Sequence, residues 1–135
     1  MNTLTVEAKV HNLNKVLEFI GDELRKAGCK MKYIMQIEVA VEELFVNIAH
    51  YAYFPRTGEV TIGITVNSDP SVAEVTFVDS GIPFDPLAKS DPDVTLDAQQ
   101  RAIGGLGIFM VKKSMDDIEY EYRDGLNITT IRKKI

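Results

Sequence analysis

The spacing of apolar residues changes period several times along this chain, and that succession restricts the folds open to it. Leu4, Val6 and Ala8 alternate with polar neighbours, the period of a half-buried strand. From Asn12 the apolar residues Leu13, Val16, Leu17, Ile20 and Leu24 recur every three or four positions, and Gly28 stands where a left-handed helix stop is usual. The spacing predicts an amphipathic helix there. It predicts a second, longer one from about Lys30 to Tyr53, where Ile34, Ile37, Val41, Leu44 and Ile48 form one stripe before Pro55 and Gly58. Period two returns in Val60, Ile62, Ile64 and Val66 and again between Val72 and Phe77, with Asn67-Ser68-Asp69-Pro70 as the turn of a hairpin. Residues 81 to 103 hold Pro, Asp, Ser and Ala with little periodicity. A connection of that length reads as a functional loop, a lid. Helical spacing resumes from Gly105 to Met115. Ile118, Tyr120 and Tyr122 then alternate up to Asp124-Gly125, a strong hairpin turn, and Ile128 to Ile131 closes the chain. The order strand, helix, helix, two strands, lid, helix, two strands predicts an α/β (α+β) two-layer sandwich, with a mixed, mostly antiparallel sheet and three main helices on one face.

Size and charge bound the rest. The 135 residues, 45% of them hydrophobic, suffice for one core and not comfortably for two, which predicts a single domain over residues 1–135. A net charge of -5 and a pI near 5.0 leave no Lys/Arg excess to neutralise a phosphate backbone, so nucleic acid is not an expected partner. The lone Cys29 permits neither an internal disulfide nor a thiolate metal cluster. It fits a reducing cytosol and a role as buried filler. No charged start leads into an apolar stretch, and no apolar run approaches ~20 residues. Neither signal peptide nor membrane span is expected, and the protein is expected in the cytoplasm.

Three segments could carry chemistry. Glu43 and Asn47 stand four apart on the second helix and share a face. A carboxylate and a carboxamide together could serve as a base and as an oxygen ligand for Mg²⁺. Taken alone, the pair reads first as a solvated i,i+4 polar pair. Val75, Phe77 and Val78 run into Asp79-Ser80-Gly81-Ile82-Pro83-Phe84-Asp85, so an acidic residue leaves a strand straight into a glycine turn. Such an Asp can accept a hydrogen bond from an exocyclic amine, with glycine letting backbone approach a flat base. An Asx-type turn would use the same residues for conformation only. Gly104-Gly105-Leu106-Gly107 opens directly into a helix whose first amides are unpaired, a phosphate-binding arrangement. It is neither a Walker loop nor a dinucleotide fingerprint, and hinge glycines are the plainer alternative.

The three segments in this order, from Val39 to Tyr53 through Asp79 to Pro86 to Ile103 to Gly107 and Met115-Asp116-Asp117, resemble the GHKL ATPase superfamily. The resemblance is nearer still to its short branch of anti-sigma-factor serine/threonine kinases, and it covers nearly the whole chain. It implies the GHKL-type ATP-binding fold, with ATP and Mg²⁺ as ligands. Glu43 would be the general base and Asn47 the Mg²⁺ ligand. Asp79 would receive the adenine amine, with Gly81 beside it. Gly104, Gly105, Leu106 and Gly107 would form the phosphate loop, and Arg101 would meet the terminal phosphate. Thr130 on the last strand would reach the adenine side, an ordinary strand threonine being the alternative. The resemblance further implies an anti-anti-sigma protein as substrate and a sigma factor as the other partner, and it leaves room for a homodimer. Two positions depart from the family pattern: Ile103 and Pro83 stand where many relatives carry glycine. No phosphoacceptor histidine sits in a dimerisation helix, since His50 lies in the second helix and His11 before the first. A complete histidine kinase is therefore excluded, and the remaining rival is an ATP-sensing module that switches partners without transferring phosphate.

Overall fold

The computed structural model describes residues 1–88 and 105–135. Strand β1 (Asn2–Glu7) leads through a 3-10 turn at Val10–Asn12 into helix α1 (Leu13–Lys26), and helix α2 (Met31–Tyr51) follows. Strands β2 (Glu59–Asn67) and β3 (Val72–Asp79) come next, then a 3-10 turn at Pro86–Ala88, helix α3 (Gly105–Ser114), and strands β4 (Asp117–Arg123) and β5 (Leu126–Lys134). Each sits close to where the apolar period placed it. The stop after α1 is a left-handed Gly28 (φ 75°), with Cys29 N–H donating to the Leu24 carbonyl and Gly28 N–H to that of Arg25, both at 3.0 Å. This six-to-one and five-to-two pair uses up carbonyls the helix would otherwise leave open. Cys29 packs on the core beside this cap, and burial pushes its thiol pKa up. Asp124 and Gly125 both have positive φ, the two-residue turn whose twist matches a β4–β5 hairpin.

The five strands are ordered β1-β2-β3-β5-β4, and every pairing among the described residues is antiparallel. The last strand therefore inserts beside β3, and β4 takes the edge. The register sets Val75 opposite Ile131, Phe77 opposite Thr129 and Asp79 opposite Asn127. One face of this sheet carries Val60, Ile62 and Ile64 of β2, Val75 and Phe77 of β3 and Ile131 of β5, all buried. Val16, Ile20 and Leu24 of α1, Ile37, Val41 and Phe45 of α2, and Ile108 and Val111 of α3 join them in one cluster. Three helices on one sheet face are thus what the sequence pattern required. None of the helices among the described residues is long and apolar enough to cross a membrane.

The other face is more polar, with charged and threonine side chains beside Val78 and Ile128. Arg132 donates to Glu74 at 2.7 Å, Asp117 at 2.6 Å and Glu119 at 2.8 Å, tying β3, β5 and β4 together across their outer surface. The hydrogen bonds to Glu119, Glu74 and Asp117 raise the guanidinium pKa further above its ordinary value, against the effect of burial.

Candidate functional site

The inward positions of the sheet are apolar until its end, where they turn polar. Along β3 they read Ala73, Val75, Phe77, Asp79, and along β5 they read Ile131, Thr129, Asn127. Asp79 (5% exposed), Asn127 (4%) and Thr129 (7%) are the buried polar or charged residues among those described. Polar groups seldom bury without partners or purpose, and these three share the wall of one narrow cleft. Leu44, Asn47, Ile48 and Tyr51 of α2 form the opposite wall, and Ile82, Phe84 and Pro86 close one side. The rings of Tyr51 and Phe84 lie 6.0 Å apart and 22° from parallel. Such a slot, mostly apolar with a few converging polar groups, is the usual form of a small-molecule site.

The turn after β3 is held from all sides. Asp79 Oδ1 accepts from Gly81 N–H at 2.9 Å, an Asx turn, and from Asn127 Nδ2 at 2.9 Å. Its second oxygen has no hydrogen-bond partner among the described residues. Ser80 N–H donates to the Tyr53 hydroxyl at 2.9 Å, which itself donates to the Glu59 carbonyl at 2.6 Å. Ile82 N–H donates to the Ala52 carbonyl at 2.9 Å, so the turn is bonded to the end of α2. Gly81 lies so close to that helix end that a Cβ there would overlap the Ala52 carbonyl oxygen and come within 2.6 Å of its carbon. Only glycine fits. The Asx turn is thus made by one oxygen of Asp79, and it does not exhaust the carboxylate.

Asn127 completes the arrangement. Its Nδ2 also donates to the Ile82 carbonyl at 2.9 Å and approaches that of Gly81 at 3.4 Å. Its Oδ1 accepts from the Tyr120 hydroxyl and from Phe84 N–H at 3.3 Å. Phe84 N–H also reaches the Tyr120 oxygen at 3.2 Å. Burial holds the Tyr120 hydroxyl above its ordinary pKa, opposed by the Phe84 N–H and reinforced by Asp85 and Asp79. It therefore stays protonated as a donor.

Glu43 stands one helical turn before Asn47 and is half-buried. The backbone of Gly107, in the first turn of α3, presses on it: a Cβ at Gly107 would overlap the Glu43 carboxylate and sit 3.1 Å from its Cδ. The α2 carboxylate and the glycine segment thus meet. Gly105 is the first residue of α3 and Leu106 the second. Arg101 and Gly104 lie outside the described residues, as does most of the expected lid. His50 is exposed on the last turn of α2, edge-on to Tyr51 at 6.0 Å.

One expected residue is misplaced. Thr130 does not face the cleft: it lies on the outer sheet surface, its hydroxyl 3.4 Å from that of Thr76, and the cleft residue is its neighbour Thr129. Adjacent residues of a strand face opposite ways, and Ile128-Thr129-Thr130-Ile131 offers the same pattern in either phase. Asn127 and Tyr120 were missed altogether. The two-residue turn at Asp124-Gly125 was the available signal, because it fixes the pairing of β4 and β5 and puts Ile118 opposite Ile131.

A buried carboxylate with one oxygen unpartnered among the described residues, an aromatic-flanked slot and a carboxylate against a glycine-rich helix start define a nucleotide-binding domain. The chain belongs to the histidine kinase-like ATPase domain family, whose model it matches over residues 6–133. Within that family it is similar to the serine-protein kinase RsbW of Listeria monocytogenes, 31% identical over 108 residues that span 76% of this chain and 68% of the relative. The serine-protein kinase RsbW of Bacillus cereus is 28% identical over 99 residues, 70% of this chain and 61% of the relative. Among solved structures the fold matches a chain of the SiaB–SiaC complex from Pseudomonas aeruginosa, with TM-score 0.60 and 18% identity, covering 98% of this chain and 89% of that one. The superfamily and its serine-kinase branch, which the motifs resembled, are those the comparisons find.

Proposed function

We propose that residues 1–135 act as one ATP-dependent protein serine kinase domain of the regulatory kind, transferring a phosphoryl group to a serine of a small partner protein. The observation that carries this reading is the buried Asp79, one oxygen of which has no partner among the described residues, in a cleft whose far wall, α2, also brings Glu43 against the start of α3. The chemistry of the cleft suits adenine. Tyr51 and Phe84 flank it, Asp79 offers an acceptor to an exocyclic amine, and Gly81 adds no side chain beside it. The names of the relatives support the serine specificity.

In this reading Asp79 Oδ2 accepts from the base and Thr129 lies beside it. Backbone amides of Gly105, Leu106 and Gly107 at the positive end of α3 receive phosphate oxygens, with Gly104 and Arg101 contributing from the preceding segment. Asn47 would hold Mg²⁺, which neutralises phosphate charge. No group of three or more His, Cys, Asp and Glu among the described residues could bind a metal alone, so the ion would complete its shell with phosphate and water oxygens. Glu43 accepts the proton of the attacking serine hydroxyl. Its position one turn from Asn47 and against Gly107 supports this role. The substrate serine would be presented by an anti-anti-sigma protein, and a sigma factor would be the alternative partner, held by a monomer or a homodimer in the cytoplasm.

Calorimetry with Mg-ATP tests the foundation. Wild type should bind, and Asp79→Asn, which sets an amide donor against the base amine, should weaken binding by about 10- to 100-fold. No binding by wild type at millimolar nucleotide would remove the reading. Labelled ATP and the partner then decide between kinase and sensor: serine phosphorylation by wild type is expected, and its absence with the true partner leaves a module that only senses ATP.

A further inference from the structure

We propose that Asn127 is the positioning residue of the base subsite, and that through Asp79 it sets the preference of the cleft for a 6-amino over a 6-oxo purine. The inference rests on the nucleotide reading of the cleft and deepens it. Asn127 is 4% exposed, and both ends of its carboxamide are committed. Nδ2 faces the Asp79 carboxylate and the Ile82 carbonyl at 2.9 Å each, while Oδ1 faces the Tyr120 hydroxyl and the Phe84 N–H. A flipped amide would set oxygen against carboxylate and N–H against N–H, so the surroundings allow one orientation.

Two consequences follow for a ligand. First, Asn127 Nδ2 and Gly81 N–H both occupy Asp79 Oδ1, which fixes the carboxylate plane and leaves Oδ2 as the acceptor in the cleft. A base presenting an N–H there gains a charge-assisted hydrogen bond, whereas a base presenting a carbonyl meets a like partial charge. Second, the donors of Asn127 are spent on Asp79 and the Ile82 carbonyl, so neither can turn to greet a 6-oxo group. Selectivity comes from a donor held away from the ligand as much as from an acceptor offered to it. Asn127 touches no base itself. It acts by holding Asp79 and the Gly81–Phe84 backbone, and Tyr120 holds it in turn.

Three proteins are titrated with ATP and with GTP by calorimetry, and their melting temperatures are recorded: wild type, Asn127→Leu, which keeps the branched outline without the hydrogen bonds, and Tyr120→Phe, which removes the hydroxyl alone. Wild type should prefer ATP. Asn127→Leu should weaken ATP by about 10- to 100-fold and leave GTP little changed, so that the ratio collapses. Tyr120→Phe, whose fold is the less disturbed, should shift the ratio the same way by about 3- to 10-fold. Equal weakening of ATP and GTP with a lower melting temperature would show general loosening and overturn the proposal, as would unchanged ratios in both variants. Wild type that binds ATP without preferring it would refute the selectivity while leaving the nucleotide site standing. Wild type that binds neither would refute both.

Discussion

Replacing Gly81 by alanine should damage stability and nucleotide binding together, and the size of the effect can be worked from the contacts. The added methyl would lie 2.6 Å from the Ala52 carbonyl carbon and 2.7 Å from the Ala52 Cβ, where carbon atoms settle at about 3.5–4.0 Å. Either the turn or the end of α2 must retreat by about 1 Å. The atoms it meets belong to backbone and to a short side chain, so no rotamer change can relieve them. Overpacking of this kind costs about 1–3 kcal/mol, and the Ile82–Ala52 hydrogen bond stretched by the same retreat adds to that loss. With 135 residues and an unfolding entropy of about 2.1 cal/mol/K per residue, each kcal/mol lowers the melting temperature by about 3–4 °C. The variant should therefore melt about 4–11 °C below wild type. Because Asp79 Oδ1 is bonded to the Gly81 N–H, displacement of the turn also moves the base acceptor, and ATP should weaken by at least about tenfold. Differential scanning calorimetry and a binding titration on the same preparation measure both. A variant that melts with wild type and binds ATP equally well would refute the claim that Gly81 is required by its approach to α2.

Three further outcomes are expected. Glu43→Gln should bind ATP within a few fold of wild type yet lose about 10²- to 10⁴-fold in single-turnover phosphoryl transfer, because a carboxamide keeps the shape but cannot accept the serine proton; undiminished transfer would rule Glu43 out as the base. Thr129→Val should weaken ATP by about 3- to 10-fold while Thr130→Val changes it little, since the first lines the cleft and the second faces Thr76 on the outer surface; the reverse order in a titration would contradict the register of β5. Arg132→Met should lower stability by about 1–2 kcal/mol at low salt, leaving Glu74, Asp117 and Glu119 facing one another, and the deficit should shrink near 1 M salt as the repulsion is screened; a deficit independent of salt would point to lost packing instead.

The local chemistry of this chain is written in its sequence. Apolar period alone placed the helices carrying Ile20 and Val41 and the strands carrying Ile62 and Phe77, because burial of one helix stripe or one strand face is decided by spacing. The Asp124-Gly125 turn and the glycine stop after α1 were equally plain, since few residues tolerate positive φ. The motif order also named Glu43, Asn47 and Asp79 before any contact was known. Other features depend on what lies next in space. The sequence order does not say that β5 inserts beside β3, yet that pairing sets Asn127 against Asp79 and turns a strand asparagine into the brace of the cleft. Nor could Ile128-Thr129-Thr130-Ile131 reveal which threonine faces inward, because both phases read alike. Only the register imposed by Phe77 and Ile118 resolved it, giving Thr129 to the cleft and Thr130 to the outer surface.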